Sequence, residues 1–366
     1  MSTPPLPLPV EDDPTLVADD PADLTPEWLS RVLRLGSDLD VRVRDARAQR
    51  IGTGQIGASY RVVLEGSGEA PSSVVVKMAT GTDRSMVSQG FAWEVGFYRQ
   101  LAERVQARVP RCWYGAISPD HTRFTLVLED LTPSVPGSQA AGCSPERARH
   151  AVVNLAGLHA PFWNSTFLAG GLQWLQPTDA EGAAFLGALH RDATDTFVKR
   201  FGADLPAADA ETLRAAAELT EGWLRRHQTP FSLVHGDYRL DNLMFHPDRP
   251  EVAALDWQTI SVGHPGRDVA YFLANSLSAD DRRATENELV AAYHAELVRL
   301  GVRGYSLEDC LAGYRTGVLH APLITVLGCV YATAERSPAA DAMFLSMTAR
   351  ACQAIRDLGT LDAAAA

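Results

Sequence analysis

The stretch Leu233–Phe245 reads Leu-Val-His-Gly-Asp-Tyr-Arg-Leu-Asp-Asn-Leu-Met-Phe and places His235, Asp237, Arg239, Asp241 and Asn242 within eight residues. Apolar, strand-like runs flank the cluster on both sides. Asp237 and Asn242 stand five apart, so one tight loop can turn both toward a single point. A carboxylate there can accept the proton of a hydroxyl, and an amide carbonyl suits a hard cation. A polar turn between strands is the alternative, but turns rarely need His, Asp, Arg, Asp and Asn so close together. Fourteen residues beyond Asn242, Asp256 follows the four apolar residues Val252 to Leu255. A lone carboxylate at such a strand end fits a second cation ligand; a strand-terminating Asp in a turn is the plainer reading.

Two more charged residues sit among apolar neighbours. Lys77 ends the run Val74-Val75-Val76, and an ammonium on a strand of this type needs a carboxylate partner. Glu94, flanked by Phe91, Val95 and Phe97 on the next predicted helix, is the natural candidate. Such a pair would hold the lysine extended toward phosphate oxygens; a lysine snorkelling from a strand end beside a solvated Glu is the alternative. Gly52, Gly54 and Gly57 form a G-x-G-x-x-G. A strand, not a helix, is predicted to follow, which excludes a dinucleotide-binding turn, and no Gly-Lys-Ser/Thr is present for a Walker loop. A glycine hairpin remains, able to lay backbone N–H groups over phosphates or to be no more than a flexible tip.

The elements that must position these groups divide into two halves. Residues 1–20, Pro-rich and acidic, read as a flexible tail. Thr25-Pro26-Glu27 opens a helix. Strands are predicted over Val41–Ile51, Ser59–Glu65, Ser73–Ala79, Trp113–Ile117 and Phe124–Glu129, with a helical period between Met86 and Val105. Thr132–Cys143 reads as a linker. Beyond it the chain is mostly helical, with helices over Ser144–His159, Ala207–His227 and Asp280–Leu300 and another starting at Ser306. The division is 21–131 for a small mixed half and 132–366 for a helical one. Thr316–Ala334 carries no Asp, Glu, Lys or Arg over 19 residues and reads as a buried helix broken near Pro322. Asp268 can cap a helix or brace the catalytic loop, a structural role either way.

Composition limits the function classes. The 366 residues carry a formal net charge of −12, which argues against nucleic acid or an anionic membrane as the main partner. Five cysteines without a C-x-x-C make a disulfide framework or a thiolate zinc site a poor fit, and reduced thiols suit a cytoplasmic protein. The first residues lack the basic and apolar regions of a signal peptide.

In order, a glycine hairpin, a strand lysine, a helix glutamate, an H-x-D-x-x-x-x-N loop and a strand-end Asp resemble the protein-kinase-like superfamily. His235-Gly236-Asp237 and Asp256-Trp257-Gln258 stand in place of H-R-D and D-F-G, and no A-P-E follows, which resembles the aminoglycoside and choline kinase branch. The segments Leu126–Leu131, Ala156–Trp163 and Asp256-Trp257-Gln258 resemble the ecdysteroid-kinase-like phosphotransferases, including their bacterial members.

The resemblance implies an α+β, bilobed protein-kinase-like fold: a small N-lobe with an antiparallel sheet and one key helix, and a larger, mostly helical C-lobe. It implies ATP and Mg²⁺ as cofactors. Asp237 would be the base, and Asn242 and Asp256 would hold the metal. Lys77 would meet the phosphates, steadied by Glu94, with Gly52, Gly54 and Gly57 nearby. Glu129 to Leu131 would contact the nucleotide base through the backbone. His235 would brace the loop, and Arg239 would pair with phosphate or with Asp241. The implied activity is phosphate transfer to the hydroxyl of a small molecule. An antibiotic-resistance kinase and a nucleotide-binding pseudokinase are the alternatives, and the missing A-P-E speaks against a protein kinase. Trp163, Trp174 and Trp223 could line an apolar acceptor site or belong to the core.

Overall fold

The structure, a computed structural model, describes residues 16–36, 40–52, 57–81, 84, 87–170, 172, 174–332 and 336–366. The readings that fall on residues 1–15, on Gly54 and on the run ends Met86 and Ala334 lie outside the described residues. Two compact units emerge: one takes the chain up to Arg104, Val109–Thr132 and Asp256–Thr259, and the other takes Val105–Arg108, Pro133–Leu255 and Ile260–Ala366.

In the first unit, α1 (Pro26–Gly36) starts where the sequence places it, with the Trp28 N–H donating to Thr25 Oγ1 at 3.2 Å. Leu29, Val32 and Leu33, at helical spacing, form its buried stripe. Strands β1 (Val41–Ile51), β2 (Gly57–Gly68), β3 (Ser73–Ala79), β4 (Cys112–Ile117) and β5 (Phe124–Glu129) form one sheet in the order β1-β2-β3-β5-β4, every neighbour antiparallel. On β3, Val74, Val76 and Met78 are buried on one face, which puts Lys77 on the other. Helix α2 (Ser88–Gln100) buries Phe91, Glu94, Val95, Phe97 and Tyr98.

Residues 16–20 correct the tail reading. Leu16 and Ala18 are buried in the sheet's core, held by hydrogen bonds from the Tyr114 hydroxyl to Leu16 O at 3.3 Å and from the Thr125 hydroxyl to Ala18 O at 2.9 Å. Two apolar side chains with satisfied carbonyls outweigh the acidic, proline-rich composition around them.

In the second unit, β6 (Val135–Pro136) leads into α3 (Pro145–His159), α4 (Thr166–Gly170), α5 (Ala180–Phe201) and α6 (Ala207–Arg226). Three short strands follow: β7 (Ser232–Val234), β8 (Leu243–Phe245) and β9 (Val252–Ala254). β10 (Ser261–Gly263), which pairs with β7, precedes α7 (Gly266–Ser276), α8 (Ala279–Arg299), α9 (Leu307–Gly317), α10 (His320–Leu327), α11 (Pro338–Leu358) and α12 (Thr360–Ala365). Every residue of α7 is buried. Its backbone meets α9 so closely that a Cβ on Gly266 would stand 2.5 Å from Gly313 O, and one on Gly317 2.5 Å from Gly266 O.

The apolar run lies in this unit as α9, α10 and a π-turn, Gly328–Ala332. By length and composition Leu307–Ala332 could cross a bilayer, but 56% of its most apolar window is buried inside the protein. The break falls at Val318–Leu319, four residues before Pro322, because a proline ring collides with the carbonyl four residues back and offers no N–H to it. The expected linker is also packed: β6 pairs with β8, and Gln139 is fully buried.

Candidate active site

The charged candidate residues gather in two clusters, one in each unit. In the first, Lys77 Nζ donates to both Glu94 carboxylate oxygens, at 2.8 and 2.7 Å, and to Asp256 Oδ1 at 3.2 Å. The Lys77 side chain is 12% exposed and Glu94 only 1%, while Asp256 is 41% exposed, so the cluster opens on the Asp256 side. Burial works to lower the Lys77 pKa, but the Asp256 and Glu94 carboxylates outweigh it and hold the ammonium above its ordinary range.

Asp256 belongs with this unit, not with the helical half, and the two residues after it explain why. Trp257 is buried and stacks on Phe97 of α2, ring centroids 3.6 Å apart. Gln258 Nε2 donates to Glu94 Oε2 at 3.0 Å. Asp256 itself has φ +63°, a left-handed conformation that non-glycine residues adopt at a cost.

Gly57 opens β2 with its α-carbon facing Lys77: a Cβ there would stand 3.3 Å from Lys77 Cε. Gly52, at φ +70°, directly follows β1, the strand that pairs antiparallel with β2. Glu129 ends β5 and accepts the Arg111 N–H at 3.0 Å. Asp130 beside it accepts from Ser73 Oγ at 2.8 Å and from the Arg61 guanidinium at 2.9 Å, which fixes the chain entering Leu131.

In the second unit, Gly236, at φ +82°, turns the chain after β7 so that the Asp237 carboxylate emerges 23% exposed. Each of its oxygens is held. Oδ1 accepts the Tyr271 hydroxyl at 2.6 Å. Oδ2 accepts Asn242 Nδ2 at 3.0 Å and Arg239 Nε at 3.2 Å. Asn242 Nδ2 also donates to Asp237 O at 3.0 Å, so both of these hydrogen bonds leave from the amide nitrogen and its Oδ1 keeps its acceptor capacity. Arg239 Nη1 pairs with Asp241 Oδ2 at 2.8 Å, which realises one of the two expected partners. Burial tends to discharge this guanidinium, but Asp237, Tyr271 and Asp241 together keep it charged.

Supports reach the loop from distant elements. Asp268, fully buried on α7, accepts the backbone N–H groups of His235 at 2.6 Å and Gly236 at 2.9 Å, as well as His159 Nε2 at 3.2 Å. Burial pushes its pKa up, and the hydrogen bond from His159 together with its electrostatic interactions with His159, His235 and His320 more than reverses that. His235 Nε2 donates to Leu255 O at 2.9 Å while its Nδ1 accepts the Asp237 N–H at 3.2 Å, the bracing role expected of it. His320 Nε2 donates to Gly236 O at 2.9 Å; burial lowers this histidine to about 4. Gln139 accepts the Leu240 N–H at 2.9 Å, and its own N–H donates to Asp241 Oδ1 at 2.9 Å.

Tyr271, His159, His320 and Gln139 are not singled out by the sequence pattern. Only Tyr271 left a signal: it follows Asp268 by three on one helix, so both face the same loop. Of the tryptophans, Trp223 is core, with the Arg267 guanidinium 4.7 Å from its ring centre, while Trp163 and Trp174 are half-buried.

Among the described residues, no group of three or more His, Cys, Asp and Glu converges as a metal site. Asn242 in the second unit and Asp256 in the first each carry side-chain oxygen, the donor type a hard cation takes.

Comparison with known proteins places the chain. A family model, APH, described as the phosphotransferase enzyme family, matches residues 47–305. A Ralstonia eutropha JMP134 protein assigned as an aminoglycoside phosphotransferase shares the fold, with 20% identity, TM-score 0.50, and coverage of 88% of this chain and 97% of that one. An amicoumacin kinase in complex with AMP-PNP, Ca²⁺ and Ami does so with 13% identity, TM-score 0.51, and coverage of 83% and 87%. Mouse acyl-CoA dehydrogenase family member 10 is 39% identical over 101 residues, which is 26% of this chain and 9% of that protein. The human family member 11 is 33% identical over 103 residues, 27% of this chain and 13% of that one. The match thus takes in about a tenth of the length of these curated relatives.

Proposed function

The chain belongs to the phosphotransferase enzyme family, and from that premise we propose that it moves the γ-phosphoryl group of ATP to the hydroxyl of a small molecule, with Mg²⁺. The observation that carries this reading is the Asp237 carboxylate, partly open to solvent with both oxygens held in place by Tyr271, Asn242 and Arg239.

Asp237 accepts the hydroxyl proton as the acceptor oxygen bonds to the γ-phosphorus. The bond from phosphorus to the bridging oxygen breaks, and ADP leaves. Lys77, charged and steadied by Glu94, meets the phosphate oxygens; Gly52, Gly54 and Gly57 let backbone approach them. Asn242 and Asp256 would hold Mg²⁺, whose chemistry is to neutralise charge on the phosphate oxygens. The backbone from Glu129 to Leu131 takes the nucleotide base. Phosphoryl transfer asks little covalent work of the protein, so orientation dominates.

The acceptor class is tested by ADP release over aminoglycosides, macrolides, choline-like alcohols, sterols and hydroxyacyl thioesters, the last included because the curated relatives are named acyl-CoA dehydrogenase family members. Stimulation by one class, lost in Asp237→Ala, supports the reading and names the acceptor; stimulation by aminoglycosides alone makes it a resistance kinase. Silence across the panel with intact nucleotide binding favours a pseudokinase.

A further inference from the structure

Three donors converge on Asp237, and they are not equivalent. Among the described residues, Oδ2 takes two of them, Asn242 Nδ2 and Arg239 Nε, whereas Oδ1 takes only the Tyr271 hydroxyl, at 2.6 Å. A carboxylate oxygen with one hydrogen bond keeps a lone pair for a further proton. That leaves Oδ1 as the oxygen able to take a further proton, with Tyr271 bonded to it.

The tyrosine is built to stay there. It is 1% exposed, and its ring stands edge-on to His320 with centroids 5.7 Å apart. Burial, then the charge of Asp237, pushes its hydroxyl well above the ordinary phenol range, so it remains a donor at any working pH. It also stands three residues beyond Asp268 on the fully buried α7. One rigid helix thus grips the loop twice: Asp268 holds the backbone of His235 and Gly236, and Tyr271 holds the side chain that follows.

We propose that Tyr271 is a positioning residue for phosphoryl transfer, aiming Asp237 Oδ1 at the acceptor hydroxyl. This rests on the phosphotransfer reading above. The test compares Tyr271→Phe with Tyr314→Phe. Tyr314 makes the same kind of bond elsewhere, a buried hydroxyl donating to Glu286 Oε2 at 2.6 Å, so its variant reports what losing such a bond does to the fold alone. Thermal unfolding is measured on both, with kcat and KM for acceptor-stimulated ADP release.

Tyr271→Phe is expected to lower kcat roughly 10- to 100-fold, the factor a hydrogen bond to an ionised group carries, with the nucleotide KM unchanged. Tyr314→Phe should keep kcat within about twofold at a comparable loss of stability. In an Asp237→Asn background, Tyr271→Phe should add little further loss, because the two act as one unit. An active wild type whose Tyr271→Phe variant matches it in kcat, or loses no more than Tyr314→Phe, overturns this inference and leaves the phosphotransfer reading standing. A wild type silent on every acceptor overturns both.

Discussion

The Lys77 cluster and the Asp237 loop both hold charged side chains partly out of water, yet they are stabilised in opposite ways. In the first, one ammonium lies against two carboxylates, and Glu94 gains its second donor from Gln258. Charge compensates charge, and the partners come from β3, α2 and the segment at 256–258. In the second, Asp237 is surrounded by a hydroxyl, an amide and one guanidinium, while the loop backbone is tied down by Asp268, His320 and His235. The first arrangement suits a site whose task is to meet phosphate charge. The second suits one whose task is to hold a single carboxylate at a fixed angle.

The largest effect that sharpens this contrast is on turnover. Asp237→Ala is expected to lower kcat roughly 10²- to 10⁴-fold, the range a positioned base contributes, as read by steady-state ADP release. Equal turnover in wild type and variant would remove the orientation side of the comparison.

Next comes charge. Lys77→Ala strands Glu94, 1% exposed, without its cation, and should destabilise the fold by about 3–5 kcal/mol in denaturant unfolding. Lys77→Met with Glu94→Leu should recover most of that loss, because the buried charge goes with its partner. If the single variant unfolds like wild type, the pair does not compensate as described.

A smaller effect separates backbone bracing from charge. Asp268→Asn keeps the shape but trades one acceptor oxygen for a donor facing the His235 or Gly236 N–H. A loss of about 2 kcal/mol in unfolding free energy is expected, with nucleotide affinity untouched.

The smallest effect is on pH dependence. Burial lowers His190 and His320 to about 4 and His264 to about 3, below the ordinary histidine value near 6.5. The unfolded chain therefore takes up protons between 6.5 and 4 that the folded chain refuses, and stability falls as pH falls through that window. His320→Gln keeps a donor for Gly236 O without the titration, so its melting temperature should fall less steeply between pH 6.5 and 4.

How much of this was legible in the sequence follows from the same contrast. The Asp237 loop is local: five polar residues within eight positions announce it, and the structure gathers all five, His235, Asp237, Arg239, Asp241 and Asn242, through hydrogen bonds to one another. Lys77 and Glu94 were legible because each is a charge among apolar neighbours. What was illegible is long-range support. Gln139 lies in a stretch whose Pro, Gly and Ser suggest a linker, and its burial depends on residues about 100 positions away. His159 and His320 read as ordinary helix residues, since nothing local says which buried groups they will face. The docking of Leu16 and Ala18 was hidden by the acidic composition around them.

The division of labour is tested most directly by calorimetric titration of Mg²⁺-ATP into wild type, Asp237→Ala and Asp256→Ala. Asp237→Ala is predicted to bind the nucleotide within about twofold of wild type, because its proposed role is on the acceptor. Asp256→Ala is predicted to bind at least about tenfold more weakly, because the proposed metal ligand is lost. Wild-type affinity in Asp256→Ala, or a loss in Asp237→Ala as large as the one predicted for Asp256→Ala, would contradict the account.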